Sequence, residues 1–209
     1  MNKNFSTFLL SLLGGLSIVF GIVLANNINH EYLSPLMFSL GIVFTIIMGL
    51  ELITRAVPIG KNWKDCVIIG AGNFVAAMLA GFFLRGFGHF PDTIHVNIWS
   101  AIGTGIIIGL VSVANKKKGP YTVPVTFMLM FSFVYLKLPH CVVSAFYLGG
   151  LRLVGIKEWL GFLSVLAGNI IGGLIVYCVY RLSEITGGDA LKEPTVKKDY
   201  SWLFSEGGR

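Results

Sequence analysis

Glu51, Lys137 and His140 are ionisable side chains at or near membrane depth in otherwise apolar stretches. There they are costly, and they tend to mark a path for ions or protons. An imidazole, with a reference pKa of about 6.5, can gain or lose a proton near neutrality. Asn73 and Asn169 lie 96 residues apart, each directly after a glycine (Gly72, Gly168) inside an uncharged run. An amide buried without a hydrogen bond costs about 2–7 kcal/mol. Two such amides in matching contexts point to two related halves, which in membrane proteins frame a transport path near the midplane.

Enzyme chemistry finds little support. The four histidines, His30, His89, His95 and His140, are scattered, and there is no HExxH, phosphate-binding loop or pair of carboxylates. Cys66, Cys141 and Cys178 have no paired spacing, so neither a disulfide framework nor a metal site is expected. The sequence implies no enzyme, no metal and no cofactor.

The elements that must carry these residues are membrane helices. Of 209 residues, 55% are hydrophobic and 12% charged, with mean hydropathy +0.77. Soluble domains carry roughly 25% charged residues. Uncharged spans cover residues 8–25, 32–50, 66–84, 96–114 and 159–180, and a sixth, 121–151, is interrupted at Lys137-Leu138-Pro139-His140. Crossing needs about 17–25 residues. Six spans thus form one transmembrane domain, 1–182, with repeats at 8–84 and 96–182 and a tail at 183–209. The first span lacks a clear small-residue cleavage site and reads as a helix, not a secretory signal.

The net charge of +6 is distributed as for a membrane protein. Twelve basic residues, among them Lys3, Arg55, Lys61, Lys64 and Lys116, fall on one side of the spans, and Arg85, Arg152 and Lys157 on the other. The positive-inside rule then places both termini in the cytoplasm of a multi-pass inner or plasma membrane protein. An anionic leaflet rather than nucleic acid accounts for the excess.

Three crossings per half make the halves inverted copies. Each begins with a glycine-rich helix and ends with a Gly-Asn helix. The middle helices carry Glu51 and the Lys137–His140 run, where Pro139 removes a backbone donor. Broken backbone is tolerated at depth only against protein or a water-filled cavity. Helices two and five are therefore expected to be interrupted and to line a path.

In this order, Phe38-Ser39-Leu40-Gly41 leading to Glu51-Leu52-Ile53-Thr54, Asn62-Trp63 before Gly72-Asn73, Phe133 ahead of His140, and Gly168-Asn169-Ile170-Ile171-Gly172-Gly173 resemble the signatures of formate/nitrite transporters. The resemblance covers about residues 8–182. It implies an aquaporin-like, all-α inverted-repeat fold, a homopentamer with one pore per protomer, and passage of small monovalent anions such as formate, nitrite or hydrosulfide, or of their acids. It places Phe38 and Ile42 at a cytoplasmic constriction, Leu52, Ile53 and Phe133 at a periplasmic one, and His140 and Thr54 on the substrate between them. Pro139 stands where the family usually has glutamate, and Gly105 where asparagine is common. The family's lysine near the start of the fourth helix has no counterpart in 92–97, which leaves Lys137 as the candidate for its charge.

Plainer roles compete for each residue. His140 would cap carbonyls freed by the break, Lys137 would snorkel away from the pore, Glu51 would bond loop amides, and Asn73 and Asn169 would brace the broken helices with Pro139. Phe38 and Phe133 would be ordinary core. The competing functions are an aquaporin-like channel for small neutral solutes and, in another class, a passive assembly subunit with a plugged lumen.

Overall fold

The computed structural model describes residues 2–28, 30–86, 97–116, 122–151 and 154–186. Their regular structure is entirely helical: α1 (Lys3–Asn27), α2 (Leu33–Ile47), α3 (Ile53–Ala56), α4 (Trp63–Leu84), α5 (Ile98–Lys116), α6 (Thr122–Tyr135), α7 (Cys141–Gly150) and α8 (Ile156–Thr186). Residues 87–96, with His89 and His95, and those beyond 186 lie outside the described residues. Four helices, α1, α4, α5 and α8, are long and apolar enough to cross a membrane. The chain is a multi-pass membrane protein.

Side-chain caps open the long helices. Asn2 accepts from Asn4 N at 3.0 Å, and Asn62 accepts from Asp65 N at 2.8 Å with Asp65 in the first turn of α4. The exterior is greasy: Phe5, Leu9, Leu13, Leu16 and Phe20 are exposed on α1, and Leu163, Leu174 and Val179 on α8. The interior holds hydroxyls that return to nearby carbonyls, such as Ser39 to Pro35 O at 2.8 Å and Thr45 to Gly41 O at 2.9 Å. Such bonds satisfy a buried hydroxyl without a partner helix.

A break separates α2 from α3 and another separates α6 from α7, and the two breaks have the same anatomy. After α2, Gly49 takes φ +64° and Leu50 N–H reaches back to Thr45 O at 2.9 Å. After α6, Lys137 takes φ +52° and Leu138 N–H reaches back to Phe133 O at 3.2 Å. Both are left-handed helix caps, a position that glycine usually fills. Lys137 therefore has a backbone task that its charge does not explain, and its side chain is exposed. Lys137→Gly is expected to raise stability by about 1 kcal/mol, read from thermal unfolding of the detergent-purified protein. A loss of stability would mean the lysine side chain makes a bond that offsets the strain.

Close packing joins the helices within each half. A Cβ on Gly15 of α1 would lie 2.7 Å from Asn73 O of α4, and one on Gly105 of α5 would lie 2.3 Å from Asn169 O of α8. Small residues let the two backbones touch at equivalent places. The Lys3–Asp65 ion pair at 3.5 Å brings together the starts of α1 and α4. Lys116 lies 4.9 Å over the Tyr180 ring, joining the end of α5 to the last turns of α8.

Candidate permeation site

The breaks bring the ends of α3 and α7 together in the interior. His140 is the N-cap of α7 and only 2% exposed. Its Nδ1 accepts from Val142 N at 3.3 Å, and its Nε2 lies 3.3 Å from Thr54 Oγ1 on α3. A nitrogen that accepts from an amide carries no hydrogen, so the neutral ring has its proton on Nε2. That proton donates to Thr54, whose own hydroxyl hydrogen is left for another acceptor. The histidine does cap the break, but it caps an amide of α7 rather than a freed carbonyl.

Phe133 stands edge-on to the imidazole at a centroid distance of 6.0 Å, and Phe38 also lies 6.0 Å from Phe133, tilted to it. The two rings that the resemblance assigns to different constrictions are thus in contact with each other. Phe38 lies early in α2 and Phe133 late in α6, and two antiparallel helices bring such positions level. Ile42 and Leu52 are buried in the same core. Ile53 is buried too, but its Cγ1 and Cδ1 face Gly70 of α4, and it lines an apolar groove of about 670 Å³ between α4 and α8. Its amide rather than its side chain serves the break.

Asn73 and Asn169 hold the two breaks by identical means. Asn73 Oδ1 accepts from Ile53 N at 2.8 Å, while its Nδ2 donates to Ser11 O at 2.7 Å and Glu51 O at 2.9 Å. Asn169 Oδ1 accepts from Cys141 N at 2.9 Å, while its Nδ2 donates to Ala101 O at 2.9 Å and Pro139 O at 3.2 Å. Each amide uses both hydrogens on carbonyls. Each ties the first amide of a half-helix to the glycine-rich helix of its own half.

Glu51 braces differently from the loop-amide expectation: its carboxylate pairs with Lys61 Nζ, both groups being partly buried. Lys137 stays outside the buried cluster of His140, Thr54, Phe38 and Phe133. Two residues escaped the sequence reading. Arg55 counted only as a loop cation, yet it follows Thr54 on α3 and donates to Leu50 O at 3.4 Å. Asn115 fell one residue beyond the fourth uncharged span, yet it is buried and accepts from Thr126 Oγ1 at 3.3 Å.

In sequence, the chain matches no protein-family model and no curated protein. In structure it is similar to a pentameric formate channel with formate bound, at TM-score 0.66 and 18% identity over 87% of this chain and 98% of that one. It is also similar to an FNT family ion channel, at TM-score 0.68 and 14% identity over 86% of this chain and 89% of that one. This chain has the FNT channel fold. Among the described residues, this chain has two breaks, each tied by an asparagine, and no cluster of metal-ligating side chains forms.

Proposed function

We propose that the chain is a formate/nitrite-type channel for small monovalent anions or their conjugate acids. It works as a homopentamer of protomers with six crossings in two inverted triplets and both termini in the cytoplasm. The observation that carries this reading is the buried His140–Thr54 pair beside the Phe38–Phe133 constriction, in a chain with the FNT fold. The matching breaks and braces support the inverted repeat.

An anion cannot cross a gate of two phenylalanine rings with its charge unpaired, because the desolvation cost is prohibitive. Thr54 offers it a hydroxyl hydrogen, and the positive end of α7 adds partial charge at the same depth. Proton sharing follows one route. The imidazole first takes a proton on Nδ1, which displaces the Val142 cap. It then releases the Nε2 proton to Thr54 Oγ1 as the hydroxyl hydrogen passes to the anion oxygen. The substrate crosses the rings as a neutral acid and releases its proton to water on the far side; the ring is left protonated on Nδ1, and exchange of that proton for one on Nε2 restores the Val142 bond and resets the pair.

Uptake of formate, nitrite and hydrosulfide into proteoliposomes tests the reading: saturable flux of at least one anion is expected, rising as the pH falls. Protein-free rates for all three would overturn it. The neutral-solute reading draws on one observation, the exposure of Lys137 away from the buried cluster. It predicts glycerol or urea flux in the absence of anion flux.

A further inference from the structure

Among the described residues, two buried side-chain polar atoms lack a hydrogen-bond partner: Arg55 Nε and Asn115 Nδ2. Both are N–H donors, and an unpaired buried donor costs about 1–3 kcal/mol. Each is also poised rather than idle. Thr126 fixes the Asn115 amide by donating to its Oδ1, which leaves Nδ2 as the free end. The nearest carboxylate to Arg55 in sequence, Glu51, is engaged by Lys61, and no carboxylate lies within ion-pair distance of Arg55 among the described residues.

Their places in the fold connect them to the path. Thr126, Met130 and Phe133 are the buried positions of α6, at a spacing that lines one helix face. That face runs from the Phe38–Phe133 rings back toward the start of α6, where Asn115 meets Thr126 at the end of α5. Arg55 is the neighbour of Thr54 on α3, and α3 packs against α5. Arg55 thus adjoins the His140–Thr54 pair, and Asn115 lies at the far end of the α6 face that starts from the Phe38–Phe133 rings. A water would satisfy one donor but bring two hydrogens needing acceptors of their own. An acceptor-only ligand fits donors alone.

We propose that Arg55 and Asn115 form a two-step anion-holding station, Asn115 where α5 meets the start of α6 and Arg55 beside Thr54, which loads small monovalent anions before they reach the imidazole. The station rests on the pore reading, and it assigns anion affinity to residues that take no part in the crossing step.

Two readouts separate the claims. In proteoliposomes, Arg55→Gln and Asn115→Leu should each raise the half-saturating formate concentration about 10-fold, the effect of losing a hydrogen bond to a charged group. Maximal flux at saturating formate should change far less. Asn115→Asp, which puts an acceptor where the donor was, should be worse than Asn115→Leu, and Arg55→Lys should restore part of the affinity. In detergent, formate should raise the unfolding temperature of the full-length wild-type protein, and this rise should vanish in Arg55→Gln and Asn115→Leu. Should those variants fail to fold, Arg55→Lys and Asn115→Gln carry the same comparison with smaller effects. Unchanged half-saturation and an unchanged formate-dependent unfolding temperature would overturn the station and leave the channel reading standing. Formate stabilisation that depends on Arg55 and Asn115 in a protein with no anion flux would do the reverse.

Discussion

Replacing Asn73 with leucine is expected to cost several kcal/mol. Leucine matches the volume but leaves Ile53 N–H, Ser11 O and Glu51 O without their partner. Each stranded group costs about 1–3 kcal/mol, against a whole-protein stability of about 5–15 kcal/mol. Asn73→Asp should be at least as damaging. It keeps the acceptor for Ile53 N–H but sets a carboxylate against two carbonyl oxygens, a buried charge with no partner. Asn169→Leu should behave alike, since Cys141 N, Ala101 O and Pro139 O occupy the same roles. Ser112→Ala is the control, because Ser112 Oγ bonds only Ile108 O of its own helix and its loss should cost less than about 1 kcal/mol. Thermal unfolding and the yield of monodisperse protein after detergent extraction measure all four. An Asn73→Leu protein within 1 kcal/mol of wild type would show that the breaks hold without their braces.

The two asparagines are also where sequence reasoning reached furthest. A glycine-asparagine pair in a greasy run has so few physical excuses that a buried network followed from cost alone, and the contacts supply it. Pro139 and the ionisable run around it located the second break for the same reason. The first break left a fainter mark, because Gly49 is one small residue among many, and its φ of +64° cannot be read from its identity. Lys137 concealed a feature in another way. A cation in a membrane span reads as function, and the left-handed cap it makes is a backbone property that side-chain type conceals. The pairing of Phe38 with Phe133 was out of reach as well. Which rings meet depends on how far two antiparallel helices slide past each other, and apolar residues of similar size do not fix that register. Arg55 and Asn115 were missed because a span count ends where charge or polarity begins. Helix α5 runs on to Lys116 and buries an amide that hydropathy had assigned to a loop.

The sharpest functional test is at His140, because its two nitrogens do different jobs. Asparagine is a good N-cap, so His140→Asn can keep the bond from Val142 N–H while losing the Nε2 hydrogen bond to Thr54. It should fold with stability within about 1 kcal/mol of wild type, whereas His140→Ala loses the cap and about 1 kcal/mol with it. Formate flux in His140→Asn should fall about 10-fold or more, the scale of one charge-assisted hydrogen bond lost at the gate. Its pH dependence should flatten to that of formic acid in bulk solution. Wild-type flux should climb more steeply as the pH falls, because imidazolium must form before a proton can pass through Thr54. Thr54→Val should produce the same loss with the histidine intact, Thr54→Ser should retain flux, and combining His140→Asn with Thr54→Val should add little, since groups in one relay fail together. Flux with an unaltered pH profile in His140→Asn would leave the imidazole as a helix cap and nothing more. The proton would then have to travel with the substrate from the vestibule.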